Sequence, residues 1–235
     1  MEGFILKNTK FILASGSPRR KELLENLDLE FEVIPSEIDE DMFEDWSYED
    51  LVQTLSFEKA TDVFYNYLDS NNITKHTLDS GALNNSICVI GCDTLVCIET
   101  QDSTTDMNNL KALGKPKNQE DALNMLKLLN GKTHEVLTGL TIVGLIKNQE
   151  NQEENKPIEY FEEVLCNRTK VKFSEFKEEE LREYIKTGEP MDKAGAYGIQ
   201  GKGSYLVEHI EGDFYSVMGL PVNELYKLLK TYNFI

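Results

Sequence analysis

The stretch Phe11-Ile12-Leu13-Ala14-Ser15-Gly16-Ser17-Pro18-Arg19-Arg20 constrains the fold more than any other part of the chain. A short apolar run stops at Ser-Gly-Ser, Pro18 stands where a helix begins, and Leu23, Leu24 and Leu27 continue with helical spacing. A strand, a tight turn and a helix N-terminus are predicted. Helix N-termini present unpaired N–H groups and the positive end of the macrodipole, so a small-residue turn there suits phosphate. Arg19 and Arg20 in the first helical turn oppose that dipole unless an anion joins them, and the arginine fork can grip phosphate oxygens. The same residues also fit a capped surface helix with solvated arginines.

At 235 residues the chain suits one large domain or two small lobes. No apolar run approaches the roughly 20 residues that span a bilayer, and the N-terminus lacks a signal-peptide pattern, so a soluble, cytoplasmic protein is expected. A formal net charge of −18 argues against a general nucleic-acid binder but leaves a small anionic ligand open, because local cations can focus field in a cleft. Cys88, Cys92, Cys97 and Cys166 show no paired ligand spacing, which favours buried thiols over disulfides or a zinc site.

The apolar run Ile87 to Ile98 reads as a central strand or strand pair, interrupted by Asp93. A carboxylate in such a run needs a cation, a metal or several donors. Asp93 either caps a turn at Gly91 or works as a metal ligand or general base. The run Ser36 to Asp41 is a solvated acidic loop, unless one carboxylate, Glu40 by preference, turns inward as a ligand for a hard cation. A helix is predicted from about Tyr48 to Tyr67, carrying Lys59, by default a solvated side chain.

Gly114 and Pro116 fix the backbone around Lys115, and Asn118 caps a helix that ends at Gly131. Strands are predicted over 134–146 and 164–173, and a helix from about Lys177 to Thr187. In the glycine-dense loop that follows, holding Lys193 and Lys202, Tyr197 and Gln200 could supply a stacking face and an amide that reads a base edge, with a merely flexible loop as the rival. A hairpin around 211–213 and a helix begun by Pro221 close the chain. The polar stretches 69–86, 100–112 and 147–159 read as loop insertions in a single domain spanning 1–235.

Taken together, these segments resemble the Maf family of nucleoside triphosphate pyrophosphatases. The likeness rests on Leu13 to Arg20 with Glu22-Leu23-Leu24, Ile38-Asp39-Glu40, Lys59-Ala60, Gly91-Cys92-Asp93-Thr94, Gly114-Lys115-Pro116, Asp192 to Gly201 and Gly219-Leu220-Pro221. The resemblance implies an α/β fold, with an elongated mixed sheet, flanking helices and two lobes around a central cleft, and a homodimer. It implies hydrolysis of a nucleoside triphosphate to monophosphate and pyrophosphate with a divalent cation, Mg²⁺ or Mn²⁺. On this likeness Asp93, Glu40 and Lys115 are the catalytic group, with Asp93 and Glu40 as metal ligands. Ser15, Ser17, Arg19, Arg20, Lys59, Lys193 and Gln200 are the substrate-binding group. Cys92 stands where relatives more often carry Ala. Arg19-Arg20, Thr94 and the Asp192-to-Gln200 run resemble the branch acting on dTTP and UTP, with CTP or modified pyrimidines left open. The alternatives are the 7-methyl-GTP branch, a phosphomonoesterase, and a non-enzymatic nucleotide-binding regulator of cell division.

Overall fold

A computed structural model describes residues 8–39, 47–99, 110–147 and 158–235. The chain runs β1 (Thr9–Leu13), α1 (Pro18–Glu25), β2 (Phe31–Val33), α2 (Tyr48–Ser70), α3 (Lys75–Asp79), β3 (Ser86–Glu99), β4 (Leu110–Leu113), α4 (Gln119–Leu129) and β5 (Thr133–Ile146). It continues through β6 (Glu159–Phe173), α5 (Glu178–Lys186), β7 (Val207–Glu211), α6 (Phe214–Met218) and α7 (Val222–Thr231). The strands form one mixed seven-stranded sheet in the order β2-β1-β3-β5-β6-β7, with β4 pairing β3. The α/β class expected from the sequence is what is observed.

The chain divides into two compact units, and β3, β5 and β6 each contribute one part to both. The first comprises Met1–Asp93, Gly139–Cys166 and Leu220–Ile235. Its β1 lies between two parallel partners, β2 on one side and β3 on the other. Parallel strands of this kind are covered on both faces, and β3 is accordingly apolar and buried almost throughout. Ile12, Ala14, Ala60, Val63, Phe64, Ile87, Val89, Val143 and Leu145 form a core that welds α2 to the sheet. Each large aliphatic side chain buried there contributes roughly 1.5–3 kcal/mol.

The second unit comprises Thr94–Thr138 and Asn167–Gly219. Asn118 caps α4 by accepting from the Asp121 N–H, as its sequence position predicts. The α4 stripe Ala122, Leu123, Leu126 and Leu129 is fully buried. His134, Phe173 and Tyr197 meet edge-to-face, with ring centroids 4.8–5.3 Å apart, and His134 Nε2 lies 2.9 Å from the Tyr197 hydroxyl.

Several local expectations are corrected. Residues 69–86 are not one unstructured insertion: α2 runs on to Ser70, Thr74 and Thr77 form a reciprocal capping box for α3, and Leu83 is buried in the core. No hairpin forms around 211–213. Instead β7 runs antiparallel to β6, and Asp213 caps α6 by accepting from the Tyr215 N–H. β4 already occupies 110–112, while 100–109 and 148–157 of the other two polar stretches lie outside the described residues. Cys88, Cys92 and Cys97 are buried thiols, Cys166 is half-buried, and none of the four is in a disulfide. Among the described residues no helix is long and apolar enough to cross a membrane.

His134 gives the second unit a pH signature. Burial pulls its imidazole down to about 3, so it is neutral in the folded state, whereas the unfolded imidazole takes a proton near 6.5. The unfolded chain thus binds more protons between those values, and stability falls as the pH drops from 6.5 towards 3, by at most about 1.4 kcal/mol per pH unit. Urea midpoints across that window should fall less steeply for His134→Gln than for the parent; parallel profiles would contradict the assignment.

Candidate functional site

The chain leaves β1 to one side for β2 and returns on the other as β3, which makes β1 a topological switch point. In open α/β sheets, ligands bind outside the carboxyl ends of strands at such points. The last β1–β3 pair is Leu13 with Ile90, and Ala14 N–H still donates to the Ile90 carbonyl at 2.9 Å. β1 then stops while β3 continues, so the turn Ser15-Gly16-Ser17 leaves the sheet beside the stretch of β3 that carries Cys92 and Asp93.

That turn is organised from within. Ser15 is buried, and its hydroxyl accepts from the Arg20 guanidinium at 2.9 Å and from the Ser17 N–H at 3.3 Å. Pro18 opens α1 as expected, Ser17 makes no side-chain capping bond, and no acidic residue occupies the first turn. The helix start therefore combines the dipole with two arginines and no acidic residue in its own first turn, a composition that suits an anion.

Asp93 lies inside β3, which rules out the turn-cap reading. Its side chain shares a face with Gly91, two residues earlier. A Cβ on Gly91 would lie 2.3 Å from the Ser56 carbonyl oxygen and 2.8 Å from the Ala60 Cβ, so α2 rests on β3 at a distance only glycine permits. Lys59, next to Ala60, then reaches Asp93: its Nζ donates to Oδ1 at 2.7 Å, with both side chains 12% exposed. Lys59 is thus not the solvated side chain expected by default. Burial pushes the intervening Cys92 thiol up to about 11, Arg20 and Lys59 act against that rise, and Asp93 adds to it.

Asp62, three residues beyond Lys59 on α2, accepts from the Ser36 hydroxyl at 2.6 Å and from the Glu37 N–H at 3.3 Å. It ties the segment after β2 to the helix that carries Lys59. No spacing in the sequence links positions 36 and 62, and this contact was not foreseen. Glu40, further along the same segment, lies outside the described residues.

Ser15, Ser17, Arg19, Arg20, Lys59 and Asp93 thus all belong to the first unit: Arg20 is bonded to Ser15 and Lys59 to Asp93, and the β1–β3 register sets the Ser15 turn next to the stretch of β3 that carries Asp93. Lys115, Lys193 and Gln200 belong to the second. There Lys115 is exposed, and the neighbouring Gly114 carbonyl accepts from the Gly195 N–H at 3.1 Å, which joins the Lys115 loop to the Lys193-to-Gln200 loop. The Lys193 ammonium donates to the Glu189 carbonyl at 2.6 Å and to Asp192 at 2.7 Å, so it serves its own loop. Tyr197 does not offer a stacking face: it is buried beneath His134 and Phe173. Gln200 is half-buried, and its amide has no hydrogen-bond partner among the described residues.

Such a switch-point turn with two arginines and a paired lysine and aspartate marks the class: an α/β protein with a cationic turn at the carboxyl ends of its parallel strands. The chain belongs to the Maf family, for the family model described as Maf-like protein matches residues 10–232. It is 42% identical over 224 residues to a protein of Bacillus thuringiensis subsp. konkukian named dTTP/UTP pyrophosphatase, covering 95% of this chain and 96% of the relative. A Bacillus cereus protein of the same name is 43% identical over 224 residues, with the same coverage, and a Bacillus anthracis one is 42% identical.

The close approach at Gly91 makes a prediction. Gly91→Ala must displace α2 backbone, at about 1–3 kcal/mol, which is roughly 2–10 °C in a chain of this size. Gly16→Ala would meet only the Pro35 ring at 3.6 Å, an ordinary contact, and should melt with the parent. Calorimetric midpoints that do not separate the two variants would refute the packing argument.

Proposed function

We propose that the chain is an enzyme that hydrolyses pyrimidine nucleoside triphosphates, dTTP and UTP first, to the monophosphate and pyrophosphate. The observation that carries this reading is the Lys59–Asp93 pair set beside the arginine-bearing turn after β1. The names of relatives about 42% identical along nearly the whole chain support the same reaction.

In this reading the turn and the α1 N-terminus hold phosphate oxygens, and Arg19 and Arg20 neutralise their charge. Phosphoryl transfer depends mainly on positioning and electrostatics, which these groups supply. Water attacks phosphorus, the bridging P–O bond to the pyrophosphate leaving group breaks, and the water proton passes to Asp93. Lys59 orients that carboxylate from one oxygen, leaving the other to face the reaction. Lys115 and Gln200 keep the roles that the family resemblance gives them, a phosphate cation and an amide for the base edge.

A divalent cation belongs to the proposal. Among the described residues no three His, Cys, Asp or Glu side chains converge. Asp93 fits a different pattern, since Mg²⁺ is commonly held by one or two carboxylates together with substrate phosphates. Asp93 and Glu40 would hold it, and it would neutralise developing phosphate charge. Homodimerisation and a cytoplasmic location are further parts of the proposal, resting on the family resemblance.

Incubation with dTTP, UTP and 7-methyl-GTP in Mg²⁺ should release pyrophosphate from the two pyrimidine nucleotides. Orthophosphate as first product would indicate a phosphomonoesterase, preference for 7-methyl-GTP the other branch, and no turnover a binding protein. Asp93→Asn should lower turnover by about 10²-fold or more. Because it also strips Lys59 of its partner, its melting midpoint should fall, so rates are compared well below that midpoint; a folded variant with parental turnover would remove Asp93 from catalysis.

A further inference from the structure

The loop that follows α5 is wound around a single carboxylate. Glu189 Oε2 accepts from the Lys202 N–H at 2.8 Å, and Oε1 accepts from the Gly203 N–H and the Tyr184 hydroxyl, both at 2.9 Å. The same Tyr184 hydroxyl accepts from the Gly198 N–H at 3.0 Å. Both ends of the segment 198–203 are thereby fastened, and Gln200 lies between them. The glycines make this winding possible: a Cβ on Gly201 would sit 2.7 Å from Glu189 Oε2, one on Gly203 2.5 Å from the Tyr184 hydroxyl, and one on Gly198 3.2 Å from Glu189 Oε1. Gly201 also takes φ +76°, a left-handed conformation that other side chains resist. Burial would raise the Glu189 carboxyl, but the Lys202 and Gly203 N–H groups, the Tyr184 hydroxyl and the Lys193 charge outweigh it and hold the group ionised below its ordinary range.

We infer that Glu189 is a positioning residue for nucleotide recognition: with Tyr184 it fixes the backbone that presents the unpartnered Gln200 amide to the base. This rests on the proposed nucleotide hydrolysis and adds to it the group that sets base affinity without touching substrate. A carboxylate is required there. In Glu189→Gln one oxygen becomes an NH₂ donor, which must face either the Lys202 N–H or the Gly203 N–H, and the loop then loses one of its fastenings.

The test compares the parent, Glu189→Gln and Tyr184→Phe by dTTP kinetics and by product inhibition with dTMP and with pyrophosphate. Loss of a hydrogen bond to a charged group corresponds to about tenfold in affinity. For Glu189→Gln the KM for dTTP and the inhibition constant of dTMP should rise about tenfold. Its kcat should stay within about threefold and pyrophosphate inhibition within about twofold, since the phosphate-binding turn is untouched. Tyr184→Phe should move the same constants in the same direction by less, and it decides the matter if Glu189→Gln does not fold. Unchanged KM in both variants, or kcat and both inhibition constants shifting together, would overturn the inference while leaving the function standing. A parent that releases no pyrophosphate from any nucleotide would overturn both.

Discussion

The ion pair between Lys59 and Asp93 sets the rest of the first unit. A carboxylate inside a strand buried on both faces is costly unless a cation meets it, and a lysine can do so only from an element packed nearly in contact with the strand. Gly91 supplies that closeness, with Gly139 doing the same on β5: a Cβ there would lie 2.0 Å from the Val52 carbonyl oxygen and 2.9 Å from the Ser56 hydroxyl. α2 therefore settles on the sheet through two missing side chains, and the position of Lys59 follows from that docking. Ser56 and Thr141 complete the contact with a hydroxyl pair 2.9 Å apart.

The cations of this very acidic chain are consequently not distributed evenly in purpose. Several are engaged in exposed ion pairs such as Arg182 with Glu178 or Lys227 with Glu224, which contribute little to stability. Arg20 and Lys59 are instead held by a buried hydroxyl and a buried carboxylate, so their charge remains directed at one region. A triphosphate carries enough negative charge to need several fixed cations, and fixed positions cost no reorganisation during reaction. That is how a chain with a formal charge of −18 can still present an anion site.

The elements legible in the sequence were those governed by local rules. Ser-Gly-Ser-Pro announced a turn and helix start because glycine and proline limit the backbone directly, and Asn118 announced a cap for the same reason. Asp93 was legible as an anomaly, since its cost within an apolar run demanded a partner; the identity of that partner was not, because positions 59 and 93 meet only through tertiary packing. α3 was hidden because Ile73, Leu78 and Leu83 are too sparse to show a period, although each packs on the core. β7 was hidden by a pattern of Glu and His too short to alternate clearly. Tyr197 looked like a recognition surface in a glycine loop, and nothing in sequence shows that His134 and Phe173 seal it. Glu189 carries no signal in the sequence because two of its three partners are backbone N–H groups, which have no residue signature.

In the proposed reaction phosphate binds at the turn between β1 and α1, beside the Lys59–Asp93 pair. Amide-resolved ¹⁵N NMR during titration with inorganic pyrophosphate tests it most directly. The account predicts the largest saturable shifts at Ser17, Arg19 and Arg20, with Lys59 and Asp93 following on the same binding curve. Saturable binding that leaves those amides unmoved while others shift would contradict it.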